Sequence, residues 1–185
     1  MKTHYEIEIA GLTRELELFP INDELKIAGF IMFGDVEVTV ASARELLKIA
    51  PEFDVIITAE SKGIPLAYEM ARQSGEDYVV ARKGAKLYMS GLVTVEVNSI
   101  TTEKKQILCL GQAEKEIMNG RRILVVDDVV STGESLNALI TLVHEVGGNV
   151  VGKMAVLAEG DAIGRSDITY LSPLPLFDSK GNPIA

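Results

Sequence analysis

Two adjacent carboxylates directly follow an apolar segment in the second half of the chain. Residues 123–126 are all aliphatic, and Asp127 and Asp128 come next. A short segment without polar residues predicts a buried strand of a parallel sheet, and ligands bind at the carboxyl ends of such strands. Two carboxylates beside a buried strand cost free energy unless they bind a ligand. We therefore expect Asp127 and Asp128 to accept hydrogen bonds from a sugar diol and to help hold Mg²⁺ indirectly.

A loop rich in hydroxyl groups connects the acidic pair to a predicted helix. Gly133 allows the backbone to approach an anion closely, and the first turn of a helix presents unpaired N–H groups at the positive end of its dipole. These features predict a phosphate site formed by Val130, Ser131, Thr132, Gly133, Glu134 and Ser135. Phosphate donors beside a diol-binding acidic pair are typical of a ribose 5-phosphate site. The alternative is an ordinary helix N-cap; a P-loop is excluded because its G-x-x-x-x-G-K-[ST] pattern is absent.

The composition indicates a soluble globular protein of 185 residues, 47% hydrophobic and 24% charged. The net charge of −9 argues against nonspecific nucleic-acid binding, although local amides and cations can still hold a small polyanion. No apolar run approaches the roughly 20 residues of a membrane helix, and the first residues do not resemble a secretory signal. We therefore expect a cytoplasmic protein with neither a membrane nor a nucleic-acid partner. With one cysteine, Cys109, the chain has no intramolecular disulfide.

Strands and helices are predicted to alternate through the middle of the chain. The strands are expected at about 54–58, 78–81, 123–126 and 150–158, and the helices at 63–73, 112–118 and 134–146. This rhythm favours an α/β fold with a parallel sheet covered on both faces. The first forty residues predict β-structure, followed by a helix that opens at a capping box formed by Ser42 and Glu45. The tail, 159–185, is expected to be irregular but partly buried.

Residues 123–135 resemble the signature of the type I phosphoribosyltransferase family: an apolar strand, two acidic residues, and a Thr-Gly loop before a small hydroxyl residue. The resemblance covers about residues 54–158. It implies a Rossmann-like core, a flexible lid and a small hood in one domain: a hood flank at 1–50, a core at 51–158 with the lid at about 82–110, and a C-terminal flank at 159–185.

The resemblance also implies transfer of 5-phosphoribosyl from phosphoribosyl pyrophosphate, with Mg²⁺ carried by the substrate. Asp127 and Asp128 would contact the ribose hydroxyls, and residues 130–135 the 5-phosphate.

Two further segments resemble pyrophosphate-binding elements of the family. Residues 58–65 follow a strand and open a helix, as the family's pyrophosphate loop does, and they supply Glu60, Ser61, Lys62 and Gly63. Lys62 stands where the family often has a basic residue, so the resemblance gives it a catalytic role. The second segment resembles a basic run in adenine phosphoribosyltransferases and contains Arg82, Lys83 and Lys86. The alternatives are a solvated loop lysine and a plain basic turn.

Fewer residues indicate which nucleobase binds. Residues 29–39 resemble the hood of the adenine enzymes, which implies that Phe33 stacks on a purine ring; alternatively, Phe33 is a core residue. The family usually has arginine where Gly34 stands. Glu96 or Glu103 is a candidate general acid in the lid. Adenine is the favoured substrate over xanthine, hypoxanthine or guanine, and a homodimer is expected by resemblance. The rival function is a non-catalytic regulator that senses phosphoribosyl pyrophosphate.

Overall fold

The computed structural model describes residues 2–97 and 106–184. In these ranges the chain forms twelve strands, four α-helices and one short 3₁₀ turn. The α-helices are α1 (Val36–Ile49), α2 (Ile64–Ser74), α3 (Gln112–Met118) and α4 (Glu134–Glu145). The strands are β1 (His4–Ile9), β2 (Leu12–Pro20), β3 (Leu25–Ala28), β4 (Val55–Ala59), β5 (Asp77–Ala81), β6 (Val93–Val97), β7 (Gln106–Leu110), β8 (Arg122–Val130), β9 (Asn149–Glu159), β10 (Thr169–Leu174), β11 (Leu176–Asp178) and β12 (Pro183–Ile184).

The core is a parallel sheet with the strand order β10-β9-β8-β4-β5. Successive residues of a strand point to opposite faces, so the apolar residues of β8 divide between two layers. Leu124 and Val126 pack with α1 and α2, whereas Ile123 and Val125 pack with α3 and α4. All four side chains are fully buried. The α/β fold with a parallel sheet covered on both faces is therefore confirmed.

A second, antiparallel sheet combines both ends of the chain in the order β1-β2-β3-β11-β12. The expectation of an irregular tail was wrong, because β10 completes the core sheet while β11 and β12 join the N-terminal strands. Phe177 of β11 pairs with Lys26 of β3. Its ring is fully buried and meets the ring of Tyr5 edge-on at a centroid distance of 4.9 Å. The small hood thus consists of the N-terminal strands together with the end of the tail.

The segment expected to form the lid contains an antiparallel hairpin of β6 and β7. Its base is anchored to the core by two backbone hydrogen bonds of 2.9 Å that Arg82 and Cys109 exchange. Leu108 and Leu110 of β7 are buried in the same cluster as α4. The residues that join the two strands, Glu103 among them, lie outside the described ranges.

Helix α1 begins seven residues earlier than the capping box predicted, when the two N-cap residues are compared. Its N-cap is Asp35, whose Oδ1 accepts a 3.1 Å hydrogen bond from the Val38 N–H. Arg14 of β2 holds the same carboxylate at 2.7 Å, a contact that sequence spacing cannot reveal. Ser42 is fully buried inside the helix, so it packs against the core and caps nothing. Separately, none of the helices in the described ranges is long and apolar enough to cross a membrane.

Candidate active site

A cavity of about 230 Å³ lies at the carboxyl ends of β4 and β8, the central strands of the core sheet. It brings together four parts of the chain that are far apart in the sequence. The residues that line it are Ala59, Glu60, Ser61, Lys62, Lys83, Leu108, Asp127, Asp128, Val129 and Ser135. Seven of these were predicted as site residues: Glu60, Ser61, Lys62, Lys83, Asp127, Asp128 and Ser135.

The acidic pair lies within β8, which continues to Val130 instead of ending at residue 126. Pairing with β9 extends the strand, with Asp127 opposite Ala155. The Asp128 N–H donates a 2.9 Å hydrogen bond to Asp127 Oδ1. The Asp128 carboxylate is only 3% exposed, and its Oδ2 has no hydrogen-bond partner among the described residues. A buried acceptor without a partner is costly, so its position at the cavity indicates a ligand-binding role.

Burial raises the pKa of Asp127 well above its ordinary value of 3.8, and the negative charge of Asp128 raises it further. The positive charge of Lys62 acts in the opposite direction. A neighbouring negative charge and poor hydration both disfavour the charged form of a carboxyl group, so Asp127 ionises less readily than a carboxyl group in water. A ligand that donates hydrogen bonds or brings positive charge to the pair would relieve this repulsion.

Lys62 reaches the acidic pair from the loop between β4 and α2. Its Nζ lies 3.8 Å from Asp128 Oδ2, and its side chain is 56% exposed. The peptide bond between Glu60 and Ser61 in this loop is cis. Gly63 is packed so closely that a Cβ there would meet Thr58 Oγ1 and would lie 3.1 Å from Asp127 Oδ1. The loop can therefore reach the carboxylates because residue 63 has no side chain.

Glu60 connects this loop to the basic segment that follows β5. Its Oε2 accepts a 2.9 Å hydrogen bond from the Lys83 N–H, and its Oε1 lies 3.5 Å from Arg82 Nη2. The Lys83 N–H is the main cause of the lowered pKa of Glu60, and the charges of Arg82, Lys86 and Lys83 contribute. Glu60 thus holds the basic segment beside the cavity. This role differs from direct contact with the pyrophosphate.

The predicted phosphate loop connects the end of β8 at Val130 to the start of α4, and Ser135 is the one residue of this predicted loop that lines the cavity. Gly133 has a φ of +83°, the left-handed conformation that favours glycine, and it caps α4. Its carbonyl accepts the first helical hydrogen bond, from the Asn137 N–H at 2.9 Å. Ser131 and Thr132 are exposed on the loop, and Ser135 lines the cavity. This arrangement directs the first turn of a twelve-residue helix at the site, as anion binding requires.

Three residues near this edge were missed by the sequence analysis. Leu108 of β7 lines the cavity. Thr58 Oγ1 is buried without a hydrogen-bond partner among the described residues. Glu159 ends β9 at the same edge of the sheet; burial raises its pKa, and the charge of Lys62 lowers it. The position of Glu159 at the end of a predicted strand was a usable signal, whereas only tertiary packing identifies Leu108 and Thr58.

The other predicted residues lie apart from this cavity. Phe33 is 52% exposed and lines a separate cavity of about 290 Å³ between the start of α1 and α2, together with Met32, Pro65 and Tyr68. Glu96 is exposed on β6. Within residues 2–97 and 106–184, no group of three or more His, Cys, Asp or Glu side chains is arranged to hold a metal ion.

Comparison with known proteins identifies the family. Residues 37–177, well over half of the chain, match the family described as the phosphoribosyl transferase domain. An adenine phosphoribosyltransferase of Rhodococcus jostii (strain RHA1) is 35% identical over 170 residues, which are 90% of this chain and 91% of that protein. A hypoxanthine/guanine phosphoribosyltransferase of Methanococcus voltae is 32% identical over 155 residues, 84% of this chain and 75% of that protein.

A regulator is also similar to this chain. The purine biosynthesis transcriptional repressor PurR of Bacillus subtilis is 32% identical over 126 residues, which are 68% of this chain but 43% of the repressor. The chain thus spans less than half the length of that protein. Among solved structures, an adenine phosphoribosyltransferase from Thermoanaerobacter pseudethanolicus has the same fold, with a TM-score of 0.72 at 23% identity over 85% of this chain and 95% of that one. The chain belongs to the phosphoribosyltransferase family.

Proposed function

We propose that this protein transfers the 5-phosphoribosyl group from phosphoribosyl pyrophosphate to a purine base, with adenine favoured, in purine salvage in the cytoplasm. The observation that carries the proposal is the convergence of three groups on one cavity: the acidic pair Asp127 and Asp128, the Lys62 loop, and the start of α4 at Ser135. Their chemistry matches the ribose, pyrophosphate and 5-phosphate parts of one substrate.

Each group has a distinct task in this reaction. Asp127 and Asp128 accept hydrogen bonds from the ribose hydroxyls, while the loop from Val130 to Ser135 holds the 5-phosphate by its N–H groups and hydroxyls. The bond between the ribosyl carbon and a pyrophosphate oxygen breaks, and its electron pair leaves with the pyrophosphate. A ring nitrogen of the base then bonds to that carbon and passes its proton to water or to the released pyrophosphate. Positive charge near the leaving group stabilises the transition state, and Lys62, Arg82, Lys83 and Lys86 supply it.

Magnesium fits this site as part of the substrate. The ion would neutralise the pyrophosphate and prepare it to leave. The unpartnered Oδ2 of Asp128 is a suitable acceptor for a water molecule or hydroxyl bound to such an ion, which supports an indirect role of the acidic pair. Ser61, which lines the cavity, and the neighbouring Gly63 are the proposed backbone N–H donors to the pyrophosphate.

The preference for adenine is supported by the hood and by the relatives. Phe33 presents an exposed ring at the end of the hood, where it can stack on a base that enters between the hood and the core. Gly34, which replaces the arginine usual in the family, leaves open space beside that ring. Glu96 is the general-acid candidate within the described ranges, and Glu103 is the alternative. Two chains are proposed to form a homodimer.

A phosphoribosyl pyrophosphate sensor is the second candidate function. The similarity to the repressor PurR favours it, because 126 residues of this chain match that protein at 32% identity. A sensor and an enzyme share the ligand-binding groups and differ in turnover. A turnover assay can therefore distinguish the two functions, whereas a measurement of binding affinity cannot.

The test is release of pyrophosphate from phosphoribosyl pyrophosphate and Mg²⁺ with adenine, hypoxanthine, guanine, xanthine, uracil or orotate in separate reactions. The control is the double variant Asp127→Asn/Asp128→Asn. Turnover with one purine that the double variant lacks is the expected result. Binding of phosphoribosyl pyrophosphate without turnover on any base would support the sensor, and the absence of binding would refute both functions.

A further inference from the structure

An arginine outside the family motifs lies against the phosphate loop. The turn after β9 carries Arg165, and its guanidinium covers the backbone of Gly133. A Cβ on Gly133 would meet Arg165 Nη1 and would lie 3.5 Å from Cζ and 3.8 Å from Nη2. The guanidinium therefore occupies the space that a side chain at residue 133 would need.

Asp167 orients this guanidinium, and Lys153 in turn holds Asp167. Arg165 Nε and Nη2 each donate a 2.9 Å hydrogen bond to the Asp167 carboxylate, and Lys153 Nζ donates to Asp167 Oδ2 at 2.8 Å. A bidentate pair fixes the plane of the guanidinium. Because Asp167 holds Nε and Nη2, the third nitrogen, Nη1, faces Gly133. The cluster contains two cations and one carboxylate, so it carries a net positive charge beside the loop.

A purely structural role for this cluster is the alternative. Exposed ion pairs usually contribute little to stability, but the Arg165 side chain is only 27% exposed and its contact falls on the glycine that caps α4. Arginine is also well suited to phosphate recognition because its planar fork donates several hydrogen bonds in fixed directions. These observations favour a role at the phosphate site.

We propose that Arg165 is a positioning residue of the 5-phosphate site: it holds the Gly133 turn in its anion-binding shape and places a fixed positive charge beside it. This inference rests on the proposed function. In a chain with a net charge of −9, such a local cation offsets the repulsion that a phosphate meets on approach. We expect Arg165 to affect binding of the 5-phosphate and not of pyrophosphate, because pyrophosphate is assigned to the Lys62 loop and the basic segment after β5.

The test compares Arg165→Gln and Arg165→Lys with the control Arg44→Gln. Arg44 is an arginine on α1 that pairs with the adjacent Glu45 and has an exposed side chain. Calorimetric titration gives the Kd for ribose 5-phosphate and, separately, for pyrophosphate with Mg²⁺, at low and at physiological salt. We expect Arg165→Gln to weaken ribose 5-phosphate binding about tenfold, as for loss of one charge-assisted contact, and pyrophosphate binding less than about twofold. Arg165→Lys retains the charge and should lose less, with a steeper salt dependence than the wild type.

Unchanged affinity of Arg165→Gln for ribose 5-phosphate, in a wild type that binds it, would overturn this inference and leave the proposed function intact. Equal loss of both ligands together with a lower Tm would also overturn it, because that result describes a structural role. A wild type that binds neither ligand would overturn the proposed function and this inference together. Arg44→Gln is expected to match the wild type for both ligands.

Discussion

Lys62 Nζ lies 3.8 Å from Oδ2 of Asp128, so a largely exposed lysine reaches the carboxylate oxygen that has no hydrogen-bond partner among the described residues. The distance is too long for a strong hydrogen bond, and the ammonium stays partly hydrated. Lys62 can therefore turn from Asp128 to an incoming pyrophosphate while it remains in the cavity. This contact links the Lys62 loop to the acidic pair in the absence of a ligand.

Lys62→Gln should lower kcat/KM for phosphoribosyl pyrophosphate by about 10- to 100-fold, since it removes a charged contact of about 1.5–3 kcal/mol. The measurement is steady-state pyrophosphate release. The matched control is Lys48→Gln, because Lys48 has a similarly exposed side chain (59%) and pairs with Glu45 on α1, outside the cavity. A Lys62→Gln enzyme with the activity of the Lys48→Gln enzyme would contradict the assignment.

Asp127→Asn should stabilise the free protein while it removes activity. The raised pKa of Asp127 means that the folded state binds this proton more tightly than the unfolded state does. Its ionisation therefore costs stability progressively as the pH rises above the unfolded value of 3.8. The amide escapes this cost and can still accept the Asp128 N–H bond.

Thermal unfolding between pH 4 and 8 tests this prediction. We expect Asp127→Asn to have a higher Tm than the wild type at pH 8, with a smaller difference at pH 4. The control is Asp77→Asn, which neutralises an exposed carboxylate. A variant that is less stable than the wild type at pH 8 would refute a repulsive acidic pair.

Asp54→Asn should have the opposite dependence on pH. The side-chain and backbone hydrogen bonds from Arg122 lower the pKa of Asp54 from 3.8 to about 2, and they join the beginnings of β4 and β8. A lowered pKa stabilises the fold above the unfolded value, and this contribution disappears as the pH falls from 3.8 to about 2.

The variant should therefore unfold at lower urea concentration than the wild type at pH 7, and the two should converge as the pH approaches 2. Glu52→Gln is the comparison, because Glu52 also pairs with Arg122 but its side chain is 89% exposed, so its loss should matter less. A difference between Asp54→Asn and the wild type that persisted undiminished at pH 2 would point to packing as its cause.

Gly63→Ala should reduce activity strongly in a protein that still folds. The new methyl group would meet Thr58 Oγ1 and press on Asp127 Oδ1, so the loop that carries Lys62 must shift. Displacement of a positioned group by about 1 Å can cost about 100-fold in rate. The control is Gly84→Ala, because a Cβ at Gly84 meets nothing within 4 Å and its φ is ordinary. Equal activity of the two variants would show that the loop has room to adapt.

The sequence by itself determined the chemistry of the site and the class of the fold. Residues 123–126 are aliphatic, as expected for a strand that is buried on both faces. Asp127 and Asp128 follow directly, and Gly133 stands a few residues later, where a helix begins. These are local properties, set by side-chain polarity and backbone freedom, so they can be derived without knowledge of distant contacts. Helix α3 and the starts of α2 and α4 were predicted within one residue for the same reason.

Tertiary structure alone decided how these parts meet. It extended β8 through the acidic pair by pairing with β9, drew β11 and β12 into the hood, and moved the start of α1 to Asp35, which Arg14 holds from another strand. It also brought Arg165 onto Gly133 from a turn 32 residues later. Such contacts join residues distant in the chain, and their geometry depends on how whole elements pack. The sequence therefore specifies which groups are present, and packing decides which of them act together.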